Sequence, residues 1–171
     1  MKTLIISSSL SKTSKSLILC NEVALALSKK KVNCSVIDSR KLLINPTHKA
    51  ETEDMKKLQH QIKKADNIII GMGVHNYSVS DNLKIIMDTC FSDAHGKFFG
   101  IVCAAGGEKS YLSTIHISQI CMNQWKMIQL PQIIYATNKD FQNNTISSNE
   151  VIKILQEFCE EFYKIGKKLL D

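Results

Sequence analysis

Proline occurs only twice in this chain, at Pro46 and Pro131, and no low-complexity tract accompanies either residue. That scarcity excludes a Pro-rich linker and confines expected disorder to the termini. Long hydrophobic runs are missing too: nothing approaches the roughly 18 apolar residues of a membrane-spanning helix, and no signal-peptide pattern precedes the first apolar run. The six cysteines (Cys20, Cys34, Cys90, Cys103, Cys121, Cys159) contain no C-x-x-C pair, and four lie inside apolar runs. They read as small buried hydrophobes of a reducing compartment, and a cytoplasmic location is expected. His48, His60 and His95 share no ligand spacing with a Cys or Asp/Glu cluster, so no metal is expected. Neither a Ser-His-Asp nor a Cys-His pattern suggests a protein nucleophile. Neither G-x-x-x-x-G-K-[ST] nor G-x-G-x-x-G occurs, which removes the triphosphate P-loop and the usual dinucleotide fingerprint.

What the chain does have is an ordinary globular balance of 44% hydrophobic and 22% charged residues. At 171 residues it is long enough to bury a substantial core, and a single domain over 1–171 is expected. The net charge of +6 admits three partners, namely nucleic acid, an anionic membrane or a small phosphorylated ligand. The lysines are dispersed (Lys29 to Lys31, Lys56, Lys57, Lys63, Lys64, Lys167, Lys168), and no aromatic-basic alternation of a nucleic-acid reader is present. A solvated surface is the expectation, with neither nucleic acid nor membrane as partner.

Five short apolar runs recur: TLIIS at 3–7, VNCSVID at 32–38, NIIIGM at 67–72, KFFGIVCAA at 97–105 and QIIYAT at 132–137. Their apolar residues are contiguous rather than alternating, as in parallel strands covered on both faces. Helical spacing fills the gaps, with Leu17, Ile18, Val23, Leu25 and Leu27 in a first helix and Met55, Leu58 and Ile62 in a second. Leu83, Ile86, Met87 and Cys90 mark a third, residues 110–126 a fourth, and Val151, Leu155, Phe158, Phe162, Ile165 and Leu169 a fifth. Five β-α units of this length predict a three-layer α/β/α, flavodoxin-like fold with a five-stranded parallel sheet in the order 2-1-3-4-5. Ligands of such sheets sit beyond the strand C-terminal ends, beside strand one.

The stretch SSLSKTSKS at 8–16 lies at that point. Backbone N–H groups near Lys12 to Ser16 and the positive end of the following helix converge there. Hydroxyls of Ser9, Ser11, Ser14 and Ser16 add neutral donors, and Lys12 adds charge. A phosphate monoester suits that mixture; a plain capping loop is the alternative.

The order strand, SSLSKTSKS, helix resembles the G-S-x-R-x-x-S-x-N phosphate loop of the NAD(P)H-dependent FMN reductase family of flavodoxin-like proteins. Ser9, Ser14 and Ser16 fall on its phosphate-contacting positions, while Ser8 replaces Gly, Ser11 replaces the frequent Arg and Ser16 replaces Asn. ADNIIIGMGVHNYSVSDNLKIIMD at 65–88 resembles the family's A-D-x-x-[IV]-x-x-x-P-x-Y-x-x-x-x-x-x-x-L-K-x-x-x-D segment, with Gly73 in place of Pro and His75 in place of Tyr. CAAGGEKSYL at 103–112 resembles its strand-four ending, a small residue before Gly-Gly. Among subgroups, the chain is most similar to the short flavin reductases that serve two-component monooxygenases.

The resemblance implies an enzyme that binds FMN and takes hydride from NADPH or NADH. Beyond the serine loop and Lys12, it assigns the flavin ring to Gly73, Val74, His75, Asn76 and Ser78 after strand three and to Ala105, Gly106 and Gly107 after strand four. Hydride transfer needs no side-chain nucleophile, so no catalytic residue is assigned. The resemblance further implies a homodimer or homotetramer with Ile86, Met87, Cys90, Met122 and Trp125 as interface candidates, and a flavin-accepting monooxygenase as partner. His116 is read as interface or core, and Lys84 and Asp88 as structural or interface residues. Three alternatives stay open: a quinone or azo-type reductase that retains its FMN, a flavodoxin-like electron carrier without nicotinamide activity, and a non-catalytic binding module.

Overall fold

In the computed structural model, which describes residues 1–170, strands and helices alternate from the start. Strand β1 (Lys2–Ser7) leads to helix α1 (Lys15–Lys29), then β2 (Asn33–Asp38), α2 (Glu53–Lys64), β3 (Asn67–Gly73), α3 (Asp81–Cys90), β4 (Phe98–Ala105) and α4 (Thr114–Gln124). Two short strands, β5 (Ile128–Gln129) and β6 (Ile134–Thr137), both pair with β4, and a hairpin of β7 (Phe141–Gln142) and β8 (Thr145–Ile146) precedes α5 (Asn149–Lys168). The main sheet is parallel throughout and runs β2-β1-β3-β4-β5, the order expected from the sequence.

Alternation along the central strands divides them between two cores. Leu4, Ile6, Ile68, Ile70, Met72, Phe99 and Ile101 pack with Met55, Leu58 and Ile62 of α2, Leu83 and Ile86 of α3, and Ile117 and Cys121 of α4. Ile5, Ile69, Val102 and Ala104 pack with Leu19, Val23 and Leu27 of α1 and Val151, Phe158 and Phe162 of α5. Two glycines let the helices of this second face approach the sheet. A Cβ at Gly71 would fall 2.3 Å from Cys20 Sγ of α1, and one at Gly100 would fall 2.6 Å from Phe158 Cζ of α5.

Four of the five helices begin at a hydroxyl cap: Ser14, Thr52, Ser80 and Ser148 each accept a backbone N–H three residues on. Three of these four place an acid in the first turn, complementing the helix dipole, with Glu53 and Asp54 in α2, Asp81 in α3 and Glu150 in α5. Helix α1 has none.

The last two β-α units depart from the sequence reading. The expected strand 132–137 is shortened to Ile134–Thr137 and an unexpected short strand precedes it: pairing begins at Ile128, the Leu130 N–H still donates to Phe99 O at 2.8 Å, and the ladder resumes only at Ile134. Across Pro131 the register slips by two residues, since Phe98 pairs with Ile128 but Val102 pairs with Ile134, and the chain bulges out of the ladder there. The expected fourth helix over 110–126 is α-helical only from Thr114, with tight 3-10 turns over Glu108–Ser113. There the Ser113 and Thr114 hydroxyls donate back to the carbonyls of Ser110 and Tyr111 at 2.5 and 2.9 Å, occupying acceptors that an α-helix would use.

The expected interface residues need correction as well. Ile86, Met87 and Cys90 are fully buried in the core because the apolar stripe of α3 is taken up by the sheet, and Trp125 packs on Phe91 with ring centroids 5.3 Å apart. Only Met122 of the five is exposed. Lys84 and Asp88 form an i, i+4 ion pair along α3, Nζ to Oδ1 at 2.7 Å.

Because Phe158 is closed in on all sides, it cannot swing away from a new methyl group. Gly100→Ala is expected to destabilise the fold by about 1–3 kcal/mol, as overpacked cores do, read as a lowered urea midpoint at unchanged m-value.

Candidate functional site

Strands β1, β3 and β4 end at one edge of the sheet, where Ser7 registers with Gly71 and Gly73 with Ala104. The chain leaves β1 through a loop fixed at three points. Ser8 turns inward, and its N–H and hydroxyl both donate to the Gly71 carbonyl at 2.9 Å. Asn82, from the first turn of α3, donates its Nδ2 to the Ser8 carbonyl at 2.8 Å and to Ser39 Oγ at 3.0 Å. Arg40 reaches across from beyond β2 and donates to the carbonyls of Ser11 and Lys12 at 3.2 and 3.0 Å.

Arg40 is itself held by Asp38 through two bonds, at 2.8 and 2.7 Å. The guanidinium hydrogen bond holds the Asp38 carboxyl below the usual carboxylate range. The Asp38 contribution is therefore complete above the unfolded pKa of about 3.9 and is lost as pH falls through the lower folded value. With these carbonyls occupied, the loop presents mainly hydroxyls and N–H groups to its other side. Ser14 caps α1, its Oγ accepting from the Leu17 N–H at 3.1 Å and lying 3.2 Å from Ser16 Oγ.

A cleft opens over this loop. Ser9, Ser11, Thr13, Ser14, Lys15 and Ser16 line one wall; Gly73 and Val74 after β3, Ala104, Ala105 and Gly106 at the end of β4, and Asn138 after β6 line the other. A neighbouring hollow shares Gly106 and Asn138 and adds Tyr77, Gly107, Lys109, Ser110 and Lys139. A Cβ at Gly106 or Gly107 would meet no atom within 4 Å, so nothing in the fold itself demands glycine there. Side chains at those positions would instead project into open space beside the cleft.

Of the residues singled out from sequence, Ser9, Ser11, Ser14, Ser16, Gly73, Val74, Ala105 and Gly106 thus share one cleft and Gly107 borders the hollow beside it. Lys12, His75, Asn76 and Ser78 line neither. Lys12 is exposed, and its main chain is held by Arg40. His75 and Ser78 close a tight turn through mutual backbone bonds of 3.0 and 2.8 Å, with Asn76 and Tyr77 at φ 47° and 60°. The Ser78 hydroxyl is hydrogen-bonded to Nδ1 of the exposed His116 at 2.8 Å.

That turn leaves the Tyr77 ring exposed beside Gly106 and Gly107. Sequence reasoning passed over Tyr77, Thr13, Lys15 and Asn138. Asn138 had a usable signal, since it directly follows the last sheet strand at the ligand-binding edge. Thr13 and Lys15 lie inside the stretch already under suspicion.

No thiol is available for chemistry here. Burial pushes Cys20, Cys103, Cys121 and Cys159 up to about 12, leaving them neutral at physiological pH. Among the described residues, no group of three or more His, Cys, Asp or Glu is placed to hold a metal ion. The cleft is lined by neutral donors with one added cation, Lys15.

A family model described as NADPH-dependent FMN reductase matches residues 1–142. No curated protein sequence matches the chain significantly. Among solved structures, an NADH:FMN oxidoreductase in its apo form superposes with a TM-score of 0.80 at 16% identity, covering 94% of this chain and 87% of its own. A flavoenzyme NAD(P)H:(acceptor) oxidoreductase from Paracoccus denitrificans gives 0.79 at 15% identity, over 98% and 97% of the two chains. A flavodoxin from the domain Archaea gives 0.68 at 17% identity over 100% of both. At such identities these likenesses establish the shared flavodoxin-like fold.

The clamps on the loop contribute measurably to stability. Asn82→Ala strips partners from the Ser8 carbonyl and the buried Ser39 hydroxyl, and is expected to cost about 1–3 kcal/mol in urea unfolding.

Proposed function

The chain belongs to the NADPH-dependent FMN reductase family and is an FMN-dependent NAD(P)H oxidoreductase, and we propose that it works as a flavin reductase in the cleft beyond β1, β3 and β4. The observation that carries this is a convergence at one sheet edge. A hydroxyl-lined loop, a helix N-terminus without its own acid, and Gly106, which the fold does not require to be glycine, meet there, with Gly107 in the adjoining hollow. That donor set fits a flavin mononucleotide, which has a terminal phosphate at one end and a flat ring with polar edges at the other.

Ser9, Ser11, Ser14 and Ser16 would hold the phosphate together with the first N–H groups of α1. The backbone of Gly73 and Val74 and the Ala105–Gly107 segment would border the ring, where main-chain dipoles stabilise negative charge at its edge. Tyr77 would flank the open side. When bound, FMN supplies the redox chemistry, accepting hydride from the nicotinamide. The protein's task is to hold nicotinamide and ring in contact and to keep competing acceptors out.

A second reading, a quinone or azo-type reductase that retains its FMN, is favoured by the preorganised loop. Arg40 and Asn82 fix it through the protein's own hydrogen bonds, which lowers the entropy cost of binding. A dissociable flavin would instead suit transfer to a monooxygenase partner. No helix among the described residues is long and apolar enough to cross a membrane. From the six free cysteines, five of them buried, we infer a reducing, cytoplasmic compartment. For the homodimer we propose the exposed stripe Leu112, Ile115 and Met122 along α4 and the turns before it, these residues being 68%, 53% and 50% exposed. Light scattering at micromolar concentration should give twice the chain mass; a monomer overturns the dimer.

The function is tested by nicotinamide absorbance in flavin-stripped protein with NADPH and with NADH. FMN-dependent oxidation is expected, and its absence with both donors in folded protein overturns the reading. Turnover independent of added FMN, in protein that stays yellow through purification, favours the retained-flavin reading. Gly106→Val is expected to change stability by less than about 0.5 kcal/mol while weakening FMN binding about tenfold or more, measured by fluorescence quenching.

A further inference from the structure

Lys15 is the first residue of α1, where a cation opposes the helix dipole and an acid is the usual choice. It nevertheless lines the cleft beside the serine hydroxyls. Its Nζ donates to Asn138 Oδ1 at 2.7 Å and sits 5.5 Å from the centroid of the Phe141 ring. Asn138 lies just after β6 and Phe141 opens β7, so the segment between sheet and hairpin acts as a bracket for this one amine.

The bracket fixes the ammonium without neutralising it. An amide oxygen and a ring face each favour a cation, but neither carries a negative charge. Among the described residues Lys15 forms no ion pair, whereas Lys30, Lys56, Lys84 and Lys139 each meet a carboxylate. One of its three N–H donors is used by Asn138, which leaves two for a ligand. Lys12, the other cation of the loop, lies outside the cleft.

We propose that Lys15, held by Asn138 and Phe141, is the residue by which this chain selects a phosphorylated flavin over an unphosphorylated one. The proposal rests on the flavin reading and assigns the charge of the cradle to a single residue of α1. The serines and N–H groups provide neutral bonds to oxygen. Lys15 adds the charge-assisted contact, which a neutral hydroxyl at the end of a riboflavin chain cannot exploit. The hairpin after the main sheet thereby acquires a part in ligand choice.

The test compares FMN and riboflavin affinities by flavin fluorescence quenching in the wild-type chain, Lys15→Met and Asn138→Ala. The wild type is expected to prefer FMN. Lys15→Met should lose about tenfold in FMN affinity with riboflavin changed less than about twofold, and Asn138→Ala should show a smaller loss confined to FMN. If the wild type prefers FMN and Lys15→Met keeps that preference, or weakens both ligands alike, Lys15 is only a structural tie and the proposal fails while the site stands. If the wild type does not distinguish the two flavins, the phosphate cradle itself is misplaced and both readings fall.

Discussion

A parallel strand must be re-entered from its far end, so each connection crosses a face of the sheet and both faces must be covered. This constraint arranges the rest of the molecule. It makes β1, β3 and β4 apolar on both sides, sends α1 and α5 to one face and α2, α3 and α4 to the other, and brings the strand C-terminal ends to a common edge. Gly71 and Gly100 extend the same logic, since they let α1 and α5 lie close enough to seal the second face. The start of α1 is thereby carried over the edge where the loop after β1 emerges.

At that edge the structure uses charge sparingly. Arg40, which reaches the loop from outside it, is committed to Asp38 and to two carbonyls, so its role is to shape the loop rather than to face the cleft. The contrast among helices points the same way. Helices α2, α3 and α5 each complement their own dipole with an acid, whereas α1 and α4 do not, and of these two it is α1 that starts beside the row of hydroxyls in the cleft. Such an edge offers an anion neutral donors and helix polarity beside the single amine of Lys15.

The fold was legible because its signal is local and repeated. Contiguous apolar runs such as NIIIGM and FFGIVCAA can only be satisfied between two helical layers, and the heptad-like stripe of α5 is visible from Val151 to Phe162. Pro131 was visible as well, yet the two-residue slip of register around it exists only because β4 lies alongside. The turns at 108–113 were less legible, because hydroxyls that cap a helix and hydroxyls that tighten a turn are the same residue types. Ile86, Met87 and Cys90 show the remaining ambiguity: an apolar stripe announces that it will be covered, not by what.

By itself the sequence determined the class of the molecule, the order of its strands, the family it resembles and the neighbourhood of its cleft, since periodicity and loop composition are properties of adjacent residues. Tertiary structure alone decided which members of that neighbourhood meet. Ser8 turned out to face the Gly71 carbonyl, Lys12 to lie outside, and Lys15 to be drawn in by Asn138, 123 positions away in the chain. Such choices depend on contacts between segments that no local pattern connects, and they exist only once the sheet has set its edge.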